Sequence, residues 1–189
     1  MTQTAYKASN ERYTLVAIIL HWVMALAFIL MLGSGFALEY LDIPKSLKFN
    51  LIQWHKSLGV LLLIAFFIRI FWRLAHKPPA LTGFPRWETV LSKLGHLGLY
   101  ICMLAMPLSG WIMVSASVYG LPTIVFNLFE WPHIPNIAGD TELQKAARLA
   151  HTVFAFGLTA LIFGHIAAVI KHSVWDKHPV LYRMLWTKK

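Results

Sequence analysis

The chain has 189 residues, of which 58% are apolar, 14% aromatic and only 13% charged. Soluble domains carry about 25% charged residues, so this composition excludes a soluble globular protein and indicates a membrane protein. The 17 Lys and Arg against 8 Asp and Glu give a net charge of +9. In a membrane protein this excess favours unequal distribution across the bilayer over nucleic-acid binding. The lone Cys102 excludes an internal disulfide.

Four apolar segments are each long enough to cross a bilayer as a helix, which takes about 20 residues. The predicted spans are 15–38, 53–74, 94–116 and 146–171. The connections are a short polar turn at 39–52, a proline-marked linker at 75–93 and a longer segment at 117–145. We therefore predict an all-α fold, an integral membrane four-helix bundle that forms a single domain over residues 1–189.

The charged residues predict which side of the membrane each connection faces. Twelve of the 17 basic residues lie at the termini, in the second connection and at the adjoining helix ends: Lys7, Arg12, Arg69, Arg73, Lys77, Arg86, Lys93, Lys171, Lys177, Arg183, Lys188 and Lys189. On the other side, five basic residues are balanced by five acidic ones: Lys45, Lys48, Lys56, Lys145 and Arg148 against Glu39, Asp42, Glu130, Asp140 and Glu142. Because Lys and Arg are enriched in short cytoplasmic loops, both termini are expected in the cytoplasm.

Four histidines lie within or at the ends of the predicted spans: His21, His55, His151 and His165. His151 and His165 are 14 residues apart on one helix, so they share a face and are separated by about 21 Å along the axis. The predicted topology places His55 at the depth of His151 and His21 at the depth of His165. Two pairs of opposed imidazoles are therefore expected inside the bundle, one near each membrane surface.

Opposed imidazoles on facing helices are what a six-coordinate haem b requires, and bis-His ligation favours electron transfer because it closes the iron to small ligands. Two haems b are therefore predicted, one on each pair. Gly35 and Gly110 lie 14 residues after His21 and His96, which provides room for a porphyrin, although helix packing explains small residues equally well. His172 shares the face of His165 and is the competing ligand, but it lies next to Lys171 at the water boundary.

Two further residues are candidates for contacts around the inner pair. Arg69 lies 14 residues after His55, and a guanidinium buried near the inner interface favours an anion such as a haem propionate. Arg73, one turn further, is expected to extend to the headgroups. His96 is a candidate to line a quinone pocket or bond a propionate, and capping a helix is an equally good interpretation.

A proton or ion transporter that uses the intramembrane histidines as a relay is the alternative from another functional class. The broken helices and inverted repeats of secondary transporters are not visible in the sequence. A zinc transporter would need carboxylates among its helices, and the predicted spans contain none. These observations favour haem.

Several motifs are typical of one family. They are Arg12-Tyr13 through His21-Trp22, His55-Lys56-Ser57-Leu58-Gly59, Arg69 to Arg73, Pro78-Pro79, Gly95-His96-Leu97-Gly98-Leu99-Tyr100, Pro107-Leu108-Ser109-Gly110 and Gly164-His165. Over nearly its whole length the chain resembles the bacterial cytochrome b561 family. The resemblance implies a four-helix dihaem cytochrome b of the cytoplasmic membrane, with His21, His55, His151 and His165 as ligands.

The resemblance also implies electron transfer between the periplasmic side and the membrane quinone pool. One branch of the family transfers the electron of superoxide to ubiquinone, which would make this chain a superoxide:ubiquinone oxidoreductase. Other members are similar to cytochrome subunits that serve a periplasmic redox partner or a dehydrogenase. The charges do not choose between the branches, because the basic and acidic residues on the outer side balance. The expected partners are the lipid bilayer and a quinone, with no role for nucleic acid.

Overall fold

The protein is described by a computed structural model that covers residues 12–80, 83–178 and 180–186. Its order of elements is α1 (Leu15–Tyr40), α2 (Lys45–Ala75), α3 (Arg86–Ser115), β1 (Thr123–Val125), β2 (Phe129–Trp131) and α4 (Thr141–Ile170). All four helices are long and apolar enough to cross a membrane, which confirms the predicted helical membrane bundle. Of the residues used to predict sidedness, Lys7, Lys188 and Lys189 lie outside the described ranges.

Three helices begin well before the predicted spans. The polar turn predicted at 39–52 is wrong in its second half, because α2 already begins at Lys45. In the same way, α3 begins at Arg86, within the predicted linker, and α4 begins at Thr141, where the Asp140 side chain accepts a hydrogen bond from the Leu143 amide. The predicted bounds followed the hydrophobic edge of each span, whereas these helices begin in the polar residues before it, and only α4 begins with a side-chain cap.

We name the two ends of the bundle by what they carry. The hairpin side holds the end of α1, the beginning of α2 and a small antiparallel sheet, in which Thr123 pairs with Trp131 and Val125 pairs with Phe129. The opposite end, the termini side, holds the beginning of α1 and the segment that follows α4. The sheet lies in the 117–145 connection, for which the sequence predicted no structure.

The hairpin is fixed to α2 by polar side chains on one stretch of that helix. Gln53 Nε2 and Lys56 Nζ both donate to the Pro122 carbonyl, at 3.1 and 2.7 Å. The buried Ser57 hydroxyl accepts from the Phe126 amide at 3.0 Å and lies 3.2 Å from the Ile124 carbonyl. These bonds hold the hairpin over the end of the bundle.

The middle of the bundle is an apolar layer to which every helix contributes. Its buried members are Met24, Phe28, Leu62, Phe66, Cys102, Met106 and Leu158. Leu158, only 1% exposed, is midway in sequence between His151 and His165. The layer therefore separates the polar groups of the hairpin side from those of the termini side.

On the termini side, α4 continues into a π-helical turn, Lys171–Trp175, and a 3-10 turn follows at Leu181–Met184. Lys171 Nζ donates to Glu88 Oε1 at 2.7 Å and to Asp176 Oδ2 at 2.8 Å. The hydrogen bonds from Lys171 and His172 hold the pKa of Asp176 below its usual range. This network ties the end of α4 to the first turn of α3.

Replacing Ser57 with Ala should loosen the hairpin. The Phe126 amide would lose its acceptor, and a buried donor left unsatisfied costs about 1–3 kcal/mol. Hydrogen exchange measured by mass spectrometry should be faster over residues 122–131 and unchanged in the transmembrane helices. Thr159→Ala, which removes a hydroxyl bonded only within α4, is the control. Equal exchange of the hairpin in both variants would contradict the anchoring role of Ser57.

Candidate functional site

The four predicted histidines come together as two pairs inside the bundle. On the hairpin side, the rings of His55 on α2 and His151 on α4 have centres 6.3 Å apart. On the termini side, the rings of His21 on α1 and His165 on α4 also have centres 6.3 Å apart. Helix α4 thus supplies one imidazole to each pair, as the 14-residue spacing predicted.

This separation matches two imidazoles that bind one metal from opposite sides. An imidazole nitrogen lies about 1 Å from its ring centre and bonds a metal at about 2 Å, which places opposed ring centres about 6 Å apart. Imidazoles that bonded each other directly would be closer. The ring separation therefore allows one metal ion between the imidazoles of each pair.

On the hairpin side, the hydrogen bonds of His55 leave its Nε2 free to bind a metal. The Nδ1 atom lies 2.8 Å from Ser34 Oγ, and that hydroxyl donates its single hydrogen to the Met31 carbonyl at 3.0 Å. Because the Ser34 hydroxyl has the Met31 carbonyl as its acceptor, we assign the proton to Nδ1, which then donates to Ser34. In this tautomer Nε2 presents a lone pair, as metal-binding imidazoles do.

His151 is fixed in the same tautomer by α3. Its Nδ1 lies 3.0 Å from the Met106 carbonyl, which only accepts, so Nδ1 is the donor here too. Ser109 Oγ, 3.1 Å from the same Nδ1, is the second acceptor, and its own hydrogen goes to Met106 at 2.9 Å. Both imidazoles on the hairpin side are thus oriented by hydroxyl and carbonyl groups of neighbouring helices.

The two glycines of the 14-residue pattern lie against this pair. A Cβ at Gly35 would approach the His55 ring to 3.4 Å, and one at Gly110 would approach the His151 ring to 3.2 Å. Both glycines therefore lie at the depth of the hairpin-side pair. Their small size makes room for the imidazole rings of His55 and His151.

A largely apolar cavity lies beside the hairpin-side pair. His55 and His151 line it together with apolar side chains, the two strands contribute Thr123 and Trp131, and Lys56 is the one cation among the lining residues that the structure describes. Apolar cavities with a few convergent polar groups are typical cofactor sites. The hairpin forms part of the wall.

The termini-side pair has different surroundings. Arg69 Nη2 lies 3.5 Å from His21 Nδ1, and Arg69 Nε is buried without a hydrogen-bond partner among the described residues. The guanidinium groups of Arg69 and Arg73 lie 6.0 and 5.6 Å from the ring of Tyr100. Because a buried guanidinium with an unsatisfied donor favours an anion, this location suits a carboxylate.

His96 and His172, the other two candidates near this pair, occupy distinct places. The exposed His96 ring lies edge-on to His165 at 5.6 Å, and its Nδ1 donates to the Ser92 carbonyl at 2.6 Å. His172 bonds Asp176 at 2.7 Å and belongs to the ionic network of Lys171. The structure therefore brings His165, and not His172, against His21.

Glu88, His172 and Asp176 are grouped closely enough to bind a metal ion. The ammonium of Lys171 already bonds both carboxylates, so the group is explained as an ion-pair network.

The residues that orient the hairpin-side imidazoles were not predicted from the sequence. Ser34 and Ser109 each directly precede one of the glycines, so a Ser-Gly dipeptide occurs at the same depth on α1 and α3. That repetition was the available signal. The Met106 carbonyl carries no signal of its own, because any residue supplies the same backbone group.

Comparison with known proteins identifies similar sequences along nearly the whole chain. The profile described as prokaryotic cytochrome b561 matches residues 12–187. Cytochrome b561 homolog 2 of Escherichia coli (strain K12) is 29% identical over 183 residues, which is 96% of this chain and 95% of the relative. Cytochrome b561 homolog 1 of the same organism is 25% identical over 182 residues, 95% of this chain and 99% of the relative.

A third relative carries a more specific name. The probable superoxide oxidase CybB of Yersinia pestis is 25% identical over 186 residues, which cover 95% of this chain and 99% of the relative. The family implies a b-type haem, electron transport and a location in the bacterial inner membrane, consistent with the four membrane-spanning helices. With the family profile matched over its four helices and both histidine pairs, this chain belongs to the prokaryotic cytochrome b561 family.

Proposed function

We propose that the protein transfers electrons across the membrane through two b-type haems, one held by His55 and His151 and the other by His21 and His165. The observation that carries the proposal is the equal separation of 6.3 Å in both pairs. The Nδ1 contacts of His55 and His151 add support, since an imidazole that donates from Nδ1 keeps its Nε2 lone pair for a metal.

When bound, a bis-imidazole haem supplies reversible one-electron chemistry with no free coordination position. The chain holds the two pairs about 21 Å apart along α4 and orients the hairpin-side rings through Ser34 and Ser109. Arg69 is proposed to bind a propionate of the termini-side haem through its unsatisfied Nε. His96, exposed beside His165, is proposed to contact the quinone.

We further propose that the termini side faces the cytoplasm and the hairpin side the periplasm. The support is the uneven distribution of Lys and Arg, which are concentrated at the termini and in the connection between α2 and α3. The hairpin-side pair then holds the outer haem and the termini-side pair the inner haem.

The proposed electron donor is superoxide at the outer side, and the acceptor is ubiquinone. Two superoxide ions lose one electron each and become O₂, while one quinone gains the two electrons and two protons and becomes quinol. The name of the Yersinia pestis relative supports this donor. Lys56 in the wall of the outer cavity supplies the positive charge that attracts a small anion.

A second candidate is electron exchange with a periplasmic redox protein. The apolar side chains of Tyr119 and Leu128 on the hairpin side are each 80% exposed. Exposed apolar groups at the rim of a redox site are typical of a docking surface.

Replacing a single histidine should remove a single haem. The purified wild-type protein is expected to contain two haems per chain, and His55→Ala and His21→Ala are each expected to contain one. Haem quantitation by the pyridine haemochrome assay, with a reduced-minus-oxidised spectrum, makes the measurement. His76→Ala, in the connection between α2 and α3, should keep both haems. A wild-type protein with one haem or none would contradict the proposal.

Cysteine labelling tests the orientation. In a Cys102→Ser background, Tyr119→Cys introduces a thiol on the hairpin side and Lys77→Cys one on the termini side; both native residues are exposed. A membrane-impermeant maleimide added to intact spheroplasts should label the Tyr119 position only, and lysis should make the Lys77 position reactive. The reverse pattern would show that the termini face the periplasm.

Rapid mixing with superoxide tests the donor. Absorbance of the haems should show reduction faster than superoxide dismutates by itself, and added ubiquinone should reoxidise them. Superoxide dismutase in the same mixture should abolish the reduction. If the haems stay oxidised, the partner-dependent carrier is the better hypothesis.

A further inference from the structure

We infer that the hydrogen bonds of the axial imidazoles give the outer haem a lower reduction potential than the inner haem, so that electrons run inward. This inference rests on the proposed function, since it requires both haems. The two histidine pairs differ in the hydrogen-bond partners of their imidazoles. The equal ring separations alone imply no direction.

On the outer side, both imidazoles donate hydrogen bonds to fixed acceptors. His55 Nδ1 donates to Ser34 Oγ at 2.8 Å, and His151 Nδ1 donates to Met106 and Ser109 at 3.0 and 3.1 Å. An imidazole that donates from its second nitrogen becomes a stronger electron donor to the metal. Stronger donation stabilises ferric iron more than ferrous iron, which lowers the reduction potential.

On the inner side, the described residues offer the ligand imidazoles no such acceptors. Arg69 Nη2, 3.5 Å from His21 Nδ1, has only donors, so it cannot accept a hydrogen bond from the Nδ1–H that a haem-bound His21 would carry. Within the described part of the chain, the His165 ring packs against His21 and His96 and makes no hydrogen bond. These imidazoles lack the acceptors that would strengthen their donation.

The difference in ligand hydrogen bonding therefore places the inner haem at the higher potential.

The order of potentials fits the direction of the proposed reaction. An electron from a one-electron donor at the outer side, superoxide becoming O₂, passes to the inner side with a favourable change in free energy. There, two such electrons and two protons from water convert one quinone into quinol. Ser34, Ser109 and Met106 are positioning residues. They act on the outer haem through the hydrogen bonds that they accept from its imidazole ligands.

Spectroelectrochemical titration of the purified dihaem protein tests the order. Two one-electron waves are expected, and the wave that is missing in His55→Ala identifies the outer haem. In the wild type this wave should lie at the lower potential. If the outer wave of the wild type lies at the higher potential, the inference is wrong. This test of the wild type leaves every histidine that holds a haem in place.

Two serine variants test the cause. Ser34→Ala removes the acceptor of His55 and should raise the outer potential by the equivalent of about a tenfold change in the ferrous-to-ferric ratio, the lower end of the about 10–100-fold effect on metal affinity or activity of losing such a partner. Ser109→Ala should shift it less, because His151 keeps the Met106 carbonyl. Ser34→Thr restores the hydroxyl and should restore the wild-type potential, and Thr159→Ala should leave both waves unchanged.

The outcomes separate this inference from the proposed function. An outer wave that stays in place or falls in Ser34→Ala, with two haems still bound, overturns the role of the hydrogen bonds and leaves the dihaem carrier intact. A protein that binds fewer than two haems overturns the proposed function, and the inference falls with it.

Discussion

The architecture depends on the need to satisfy polar side chains inside an apolar bundle. Within a membrane, a polar ring pays a large desolvation penalty unless a partner is supplied. On the hairpin side, His55 and His151 receive such partners from α1 and α3, while Gly35 and Gly110 allow these helices to approach the rings closely. Two interhelical contacts at that depth, from α1 to α2 and from α3 to α4, are thus consequences of holding two imidazoles in place.

The helical bundle and the pairing of the histidines could be predicted because both follow from periodicity. A long apolar run permits no other fold in lipid than a helix, and residues 14 apart on a helix return to the same face. Once α4 carried His151 and His165, the alternating direction of the helices fixed which partner each one meets. The family resemblance reached the same four residues from motif similarity, so two independent arguments agree on them.

What could not be predicted depends on contacts without a sequence period. The hairpin at 123–131 lacks the Asn-Gly or Asp-Gly dipeptide that marks a tight turn. In its turn, Phe126 and Asn127 adopt positive φ angles of 48° and 59° instead. Its position is set by Gln53, Lys56 and Ser57 on a distant helix. The early start of α2 was missed for a related reason: polarity marks where the membrane ends and does not mark where the helix ends.

On the proposed assignment of the two haems, the asymmetry between the histidine pairs gives electron transfer a direction, although the two pairs are equally spaced. Both pairs use one imidazole from α4 and the same ring separation, so the backbone alone treats the two sites as equivalent. The difference arises in the partners of Nδ1, where the hairpin side has acceptors and the termini side has the donor Arg69. Because the apolar layer around Leu158 keeps these groups apart, each site can be tuned by its own neighbours, and a gradient between them can be maintained. A helical bundle built from similar spans can in this way conduct electrons preferentially in one direction.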